Sequence, residues 1–298
     1  MGNRILVTGS TGSLGSKVIN LLKEKTEVEN LTVLVRERDD KNEFAKQYTK
    51  EGIEVKIGNY ADLESLENAF KGIDVLYFVS GADENQRAIL HKNVVDAAKK
   101  VDVKHIVYTS SVWNDESAAS PLANLVDSHL QTENAIKASG MNYTILKHNL
   151  YAEVIAMLIG DKSQLLKTKT IYLPTANGSA SFAPKQDLAE AAAIILLSPS
   201  AYTNKVLELS GSERTTFSEI AEIFSKIVEE PIQYVSPEIT EFKTTMNKFG
   251  LPNHIIEILC KFSIAIANGE FDRQSNDLET VLGRKTTPLS EYLMLTYK

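Results

Sequence analysis

The sequence predicts an α/β fold in which helices cover both faces of a parallel sheet. Short apolar segments alternate with helical patterns over the first half of the chain, and a glycine-rich run follows the first of these segments. Hydrophobic residues make up 43% and charged residues 24% of the 298 residues, which is typical of a globular protein. Because short buried strands that alternate with helices form parallel sheets with right-handed crossovers, the predicted fold is doubly wound.

The first predicted strand, Ile5–Val7, runs into three glycines at a spacing of three residues, and an amphipathic stretch follows at 17–25. Between a strand and a helix, this spacing is typical of dinucleotide binding. The first glycine permits a tight turn, the second admits a pyrophosphate to backbone N–H groups, and the third lets the helix pack on the strand. A glycine turn without a ligand is the alternative. The predicted fold is thus Rossmann-like, with a cofactor loop of Gly9, Ser10, Thr11, Gly12, Ser13, Leu14 and Gly15.

The following segments continue the alternation as far as residue 150. Strands are predicted at 31–35, 53–57, 74–79, 105–109 and 142–146, and helices at 42–50, 61–70, 88–100 and 122–139. In such a sheet the ligand lies at the carboxyl ends of the strands.

The alternation breaks down after residue 150. Strands are predicted at 171–173 and 206–209, and helices at 186–197, 217–228, 238–249, 252–268 and 277–282. The strand at 206–209 is a candidate to return to the main sheet. We therefore expect a dinucleotide-binding domain at 1–152, rejoined by about 186–210, and a smaller C-terminal substrate lobe at 153–185 and 211–298.

The end of the second strand bears on the choice of dinucleotide. In NAD enzymes of this fold, a carboxylate about 20 residues past the glycines binds the ribose 2′-hydroxyl. Arg36 stands at that position, and a guanidinium can hold a 2′-phosphate through charge-assisted hydrogen bonds. The sequence therefore favours NADPH. The alternative is that Arg36 is a solvated charge and that Glu37 binds the ribose, as in an NADH enzyme.

Many reductases of this fold use a Tyr-x-x-x-Lys pair on a helix, and this chain has that spacing at Tyr143 and Lys147. Four residues along a helix bring side chains within about 6 Å of each other, but along a strand they lie about 13 Å apart. Because 142–146 is predicted as a strand, we expect no catalytic pair there. The helix at 122–139 carries His129 and Glu133 instead, one turn apart, so the carboxylate could hold a protonated imidazole. His129 is a candidate proton donor, and a partly solvated helix-face pair is the alternative.

Composition excludes several classes of partner. The net charge of −7, with no Lys/Arg run longer than two, argues against nucleic acid. The longest apolar run, 191–197, is too short to span a membrane, and the histidines show no metal-ligand spacing. One cysteine cannot form an intramolecular disulfide. Because the first strand begins almost at once, we expect no signal peptide and a cytoplasmic protein.

Several of these features occur together in one family. The glycine run, Val35-Arg36, the segments 103–110 and 143–151, and His129 with Glu133 resemble the NmrA-like atypical short-chain dehydrogenases. The likeness runs nearly end to end, and within the family it is strongest to the bacterial reductases of quinones and triphenylmethane dyes. It implies NADPH or NADH as the cofactor, with no metal and no flavin.

The resemblance also implies further cofactor contacts. Asn59 stands where relatives have an aspartate beside the adenine, and the segment that begins at Lys147 has a histidine inserted where relatives have Arg-Asn. Which of its first three residues faces the cofactor is left open. The implied contacts are Asn59, Val79, Ser80, Gly81, Lys147, His148, Asn149, Leu150 and Tyr151.

The expected activity is hydride transfer to a quinone or a similar electron-poor aromatic acceptor. Such an acceptor forms a delocalised anion and needs less acid catalysis than a ketone, which accounts for the missing Tyr-Lys pair. Ser111, Trp113 and Tyr151 are candidate substrate contacts, although Trp113 and Tyr151 could equally be core residues. The alternative function is a non-catalytic dinucleotide sensor that binds a protein partner. The oligomeric state is open, and a homodimer is one alternative.

Overall fold

The computed structural model describes residues 2–36 and 43–297. The strands are β1 (Ile5–Val7), β2 (Leu31–Val35), β3 (Glu54–Ile57), β4 (Val75–Phe78), β5 (His105–Ser111), β6 (Asn142–His148), β7 (Thr170–Tyr172), β8 (Ser179–Ala180), β9 (Lys205–Leu209), β10 (Thr215–Thr216) and β11 (Gln233–Val235). The helices are α1 (Gly15–Lys23), α2 (Glu43–Lys50), α3 (Leu63–Phe70), α4 (Arg87–Lys100), α5 (Ala123–Ala138), α6 (Val154–Ile159), α7 (Lys162–Thr168), α8 (Lys185–Leu197), α9 (Phe217–Val228), α10 (Ile239–Lys248), α11 (Asn253–Ala267), α12 (Asp277–Leu282) and α13 (Leu289–Tyr297).

Seven strands form one parallel sheet in the order β3-β2-β1-β4-β5-β6-β9. The strand order reverses between β1 and β4, so a crevice opens outside their carboxyl ends. The predicted doubly wound, Rossmann-like fold is confirmed, and β9 returns to the main sheet beside β6. Both β5 and β6 run two residues further than predicted, which extends the sheet toward this crevice.

Alternate residues of the central strands face opposite helical layers, as the two-residue period of a strand requires. Ile5 and Val7 of β1 pack with buried residues of α1 and α8. Leu6, between them, packs with buried residues of α3, α4 and α5. The sheet is thus buried on both faces, and its carboxyl edge is left to form the site.

A third cluster of buried residues forms the core of a smaller lobe. It lies under α6, α7, α9, α10, α11 and α13, and beside two short sheets that pair β8 with β10 and β7 with β11. The sequence patterns did not predict α6, α7, α13, β8, β10 or β11. Helix α12, expected in this lobe, packs instead against α8 and β9 in the layer of α1. Within the described residues, no helix is long and apolar enough to cross a membrane.

Candidate active site

The glycine turn lies between β1 and α1, where its backbone is closely packed. Gly9 has a φ of +60°, a left-handed conformation that favours glycine. A Cβ atom at Gly15 would lie only 2.3 Å from the carbonyl oxygen of Gly9, so a larger residue would push the helix away from the turn. The N–H of Gly12 donates to the same oxygen at 2.9 Å. The turn therefore has the geometry that the glycine spacing predicted.

Two cavities meet at this turn, and residues of the turn and of the segment 79–82 after β4 line both. The Arg36 cavity, of about 540 Å³, extends past the ends of β2 and β3 to Arg36 and Asn59. The His129 cavity, of about 510 Å³, extends past the ends of β5 and β6 to His129 and Tyr151. Both volumes are in the usual range for small-molecule sites. The shared lining makes them two ends of one cleft.

The Arg36 cavity brings together two of the predicted contacts. Arg36 is exposed at the end of β2, and Asn59 is exposed after β3 with its amide oxygen accepting from the N–H of Ala61. Ser10 of the glycine turn faces away from the cleft, because its hydroxyl donates to the carbonyl of Leu34 at 2.7 Å. Glu37, the alternative ribose ligand, lies outside the described residues.

The segment after β4 is held in place by side chains from the neighbouring elements. The N–H groups of Val79, Ser80 and Gly81 donate to Thr8 Oγ1, Thr109 Oγ1 and His91 Nε2, respectively, at 2.8–2.9 Å. The buried guanidinium of Arg87 donates through Nε to the carbonyl of Gly81 at 2.8 Å and through Nη1 to the hydroxyl of Ser128 at 3.0 Å. This segment is therefore fixed before any ligand binds.

The structure resolves which of the three residues at the end of β6 faces the cleft. Lys147 does not line either cavity: its Nζ lies 3.9 Å from the ring centroid of Trp113 and 3.8 Å from the carboxylate of Glu133. His148 and Asn149 do line the His129 cavity. Because side chains alternate along a strand, Lys147 and His148 point to opposite faces.

The buried His148 and the half-buried Tyr151 form a polar pair beside the glycine turn. His148 Nδ1 lies 3.1 Å from the hydroxyl of Tyr151, and burial lowers the pKa of His148 to about 3. Lys185, at the start of α8, places its Nζ 5.0 Å from the centroid of the Tyr151 ring and 2.7 Å from the hydroxyl of Ser13. The imidazole is therefore neutral, and Lys185 supplies a positive charge beside the glycine turn.

The expected pairing of His129 with Glu133 is wrong. The buried carboxylate of Glu133 accepts instead from the hydroxyl of Ser110 at 2.7 Å. Nδ1 of His129 lies 2.7 Å from the hydroxyl of Tyr108. Burial, and then the positive charge of Arg87, hold the pKa of His129 well below its ordinary value. His129 is therefore a neutral, buried side chain that lines the cavity, and not a protonated helix-face residue.

The two remaining candidate substrate contacts, Ser111 and Trp113, lie in different environments. Ser111 lines the His129 cavity at the end of β5. Trp113 is buried in the core of the smaller lobe, with its indole N–H donating to the carboxylate of Glu116 at 3.0 Å. Trp113 thus takes the core position that the sequence left open, and it does not line the cavity.

The cleft fits a dinucleotide. The glycine turn leaves space where side chains would block the approach to the start of α1, and a cation lies at the far end of the Arg36 cavity. Within residues 2–36 and 43–297, no three His, Cys, Asp or Glu side chains cluster as metal ligands.

Comparison with known proteins gives the family. The sequence matches the NmrA-like family over residues 1–294. The chain belongs to this family. It is 30% identical over 287 residues to quinone oxidoreductase 2 of Escherichia coli strain K12, with 96% of each chain covered.

Solved structures of family relatives agree with this fold over the whole chain. Triphenylmethane reductase of Citrobacter sp., solved with NADP(H), is 31% identical with a TM-score of 0.88, covering 98% of this chain and 99% of the other. The Escherichia coli NADPH-dependent quinone oxidoreductase QOR2, solved with NADPH, is 28% identical with a TM-score of 0.88, covering 99% and 100%. These relatives are oxidoreductases, and the chain is an oxidoreductase of the NmrA-like family.

Sequence patterns missed several residues of the cleft. Lys185 lines the His129 cavity from the start of α8, and Leu125, Phe262 and Phe271 form an apolar wall. The rings of Phe262 and Phe271 stack with centroids 6.2 Å apart and an interplanar angle of 12°. None of the four belongs to a local motif. Phe262 and Phe271 come from the smaller lobe, so only the tertiary fold brings them to the glycine turn.

Proposed function

We propose that the protein is an NADPH-dependent reductase that transfers hydride to a quinone or a similar electron-poor aromatic acceptor. The observation that carries the proposal is the single cleft in which the glycine turn joins the Arg36 cavity to the His129 cavity. The first offers a cation for a 2′-phosphate, and the second offers an aromatic surface for a planar acceptor. The activities in the names of the Escherichia coli and Citrobacter relatives support the same two ligands.

The cofactor would lie across the glycine turn with its adenine end in the Arg36 cavity. Arg36 binds the 2′-phosphate through charge-assisted hydrogen bonds, and Asn59 contacts the adenine edge. The N–H groups at the start of α1, together with Lys185, hold the pyrophosphate. The segments 79–81 and 148–151 flank the nicotinamide. When bound, the reduced nicotinamide supplies the hydride.

The acceptor would bind in the His129 cavity. Phe262, Phe271 and Leu125 exclude water and stack the aromatic ring, while Ser111 and Tyr151 border it. Hydride from the nicotinamide, together with one proton from solvent, would convert the quinone to a hydroquinone as NADPH becomes NADP⁺. The charge delocalises over the ring during this step, so the chain needs no Tyr-Lys pair. In this arrangement the cofactor contacts lie in residues 1–152, apart from Lys185 at the start of α8, and the smaller lobe supplies Phe262 and Phe271 of the acceptor wall.

A steady-state screen tests the proposal. NADPH oxidation is followed at the reduced-nicotinamide absorbance with a series of quinones, azo dyes and triphenylmethane dyes, and a reaction without acceptor serves as the control. We expect turnover with at least one small quinone. Tight NADPH binding by calorimetry with no turnover on any acceptor would contradict the proposal and favour the sensor.

A further inference from the structure

We infer that Tyr108 and His91 are positioning residues that fix His129 as a neutral hydrogen-bond donor, with its Nε2–H facing the acceptor oxygen. This inference rests on the proposed function and assigns the role that His129 plays in it. It differs from the proton-donor role that the sequence suggested, because His129 keeps its proton. The argument follows the hydrogen bonds from the segment after β4 to the His129 cavity.

The first link fixes the tautomer of His91. The backbone N–H of Gly81 can only donate, and it lies 2.9 Å from His91 Nε2, which therefore accepts. Burial lowers the pKa of His91 to about 3, so its ring is neutral at physiological pH. A neutral imidazole whose Nε2 accepts carries its proton on Nδ1.

The second link fixes the hydroxyl of Tyr108. Nδ1 of His91 lies 3.0 Å from Thr132 Oγ1 and 3.3 Å from the hydroxyl oxygen of Tyr108. Because this nitrogen carries the ring proton, neither oxygen can donate to it. The hydroxyl hydrogen of Thr132 is donated instead to the carbonyl of Ser128 at 2.8 Å. Burial raises the pKa of Tyr108 far above its ordinary value, so its hydroxyl keeps its proton.

The third link follows from the second. Tyr108 has one hydroxyl proton, and Nδ1 of His129 lies 2.7 Å from its oxygen. Tyr108 cannot donate to Nδ1 of His91, which carries a proton of its own, so we place the Tyr108 proton in its shorter contact, with Nδ1 of His129. The proton of the neutral His129 ring then lies on Nε2. His129 lines the cavity with Nδ1 turned toward Tyr108, so the Nε2–H side of the ring is the one at the cavity.

The charges around His129 keep it neutral. The positive charges of Arg87 and Lys147 disfavour a second proton on this ring, in addition to its burial. The one nearby carboxylate on its own helix, Glu133, is held by Ser110, Lys137 and Lys147. No change of charge at His129 is therefore expected between pH 6 and pH 9.

A neutral imidazole N–H stabilises an oxygen on which negative charge develops without giving up its proton. As the quinone takes hydride, charge develops on its oxygens, and His129 Nε2–H donates to one of them. The proton that completes the hydroquinone comes from solvent. A hydrogen bond to a charged group corresponds to about a 10- to 150-fold change in rate.

Four variants test these roles by kinetics. We expect His129→Leu and Tyr108→Phe to lower kcat for quinone reduction about 10- to 150-fold and to leave NADPH affinity near that of wild type. His129→Gln keeps an N–H near the position of Nε2 and should lose less than about tenfold. Tyr143→Phe, on β6 and away from both cavities, is the matched control and should leave kcat unchanged. Because His129 does not change its charge between about pH 6 and pH 9, it should add no pH dependence to the kcat of wild type in this range.

The tautomer is read directly in the cofactor-free protein by nitrogen-15 NMR of labelled histidine, with His129→Gln identifying the signal. We expect His129 to be protonated on Nε2 alone throughout this pH range, and Tyr108→Phe to remove that preference. Protonation of His129 on Nδ1, its titration in this range, or an unchanged kcat in Tyr108→Phe and His129→Leu would overturn the inference. A wild type that reduces no acceptor would overturn the proposed function alone, and the NMR result would still decide the tautomer.

Discussion

Lys185 reaches across the cleft from the start of α8, and its Nζ lies 2.7 Å from the hydroxyl of Ser13 in the glycine turn. The backbone N–H of Lys185 donates to the carboxylate of Glu153, which fixes the start of the helix. A cation is thereby held at the turn where the proposed cofactor carries its pyrophosphate.

We expect Lys185→Met to weaken the binding of NADPH and of NADH by the same factor, about tenfold, because both cofactors carry the pyrophosphate. The effect should shrink at high salt, since Lys185 is partly exposed. Lys17→Met is the control, because Lys17 contacts Gln186 and lines neither cavity. Titrations followed by calorimetry measure both affinities. A loss confined to NADPH, or an equal loss in Lys17→Met, would refute the assignment.

Arg36 is expected to select NADPH over NADH. Arg36→Ala removes the proposed contact with the 2′-phosphate and should lower the affinity for NADPH about 10- to 150-fold, with little change in the affinity for NADH. Titration of both cofactors measures this, and Arg214→Ala, which removes an exposed arginine paired with Asp272, is the control. Equal losses of affinity for the two cofactors, or a wild type that prefers NADH, would contradict this role of Arg36 and favour Glu37 as the residue that binds the ribose.

The stacked pair at the wall of the His129 cavity predicts an effect on the acceptor alone. Phe262→Ala removes one ring of the pair and should raise KM for a quinone about 2- to 12-fold, with NADPH affinity unchanged. Phe249→Ala, on a side chain that is 73% exposed, is the matched control. Steady-state kinetics with the quinone varied would show the change. A Phe262→Ala enzyme with wild-type KM for every acceptor would remove Phe262 from the proposed site.

Four buried histidines predict that the protein loses stability in mild acid. Burial lowers the pKa of His91 and His148 to about 3, that of His105 to about 4 and that of His129 well below its ordinary value, against about 6.5 for a histidine in the unfolded chain. The unfolded state binds more protons below pH 6.5, so their contribution is complete above that pH and falls as the pH drops toward the folded values. Each contributes up to about 1.4 kcal/mol per pH unit in this window.

Urea unfolding at steps from pH 7.5 to pH 5 measures this dependence, above the range in which carboxylates titrate. His105→Gln removes one of the four groups and should flatten the slope. His105 lies at the start of β5, away from the cleft, so the substitution leaves the proposed site intact. The same slope in wild type and variant would show that His105 takes up its proton equally in both states.

Local patterns were sufficient for the sheet and the glycine turn. Apolar runs such as Leu31–Val35 are buried on both faces, and Gly15 is required by a contact only six residues away along the chain. The strand at Asn142–His148 correctly excluded a helical Tyr143-Lys147 pair. These inferences needed only the geometry of one strand or one turn.

The rest depended on contacts between distant segments. Glu133 lies one turn from His129, but its carboxylate accepts from Ser110 of β5 instead. The hydroxyl of Tyr108, also on β5, is the hydrogen-bond partner of His129. Phe262 reaches the cavity only because the smaller lobe folds back over the sheet edge. Such partners have no fixed sequence separation, so no spacing rule could have identified them.

The central claim is tested most directly by a single-turnover measurement in a stopped-flow instrument. Wild-type protein mixed with one equivalent of NADPH is rapidly combined with an excess of a small quinone, and the reduced-nicotinamide absorbance is followed. We predict an enzyme-dependent loss of that absorbance, with one hydroquinone formed for each NADPH oxidised. An absorbance that stays constant with every quinone, although NADPH is bound, would contradict the account.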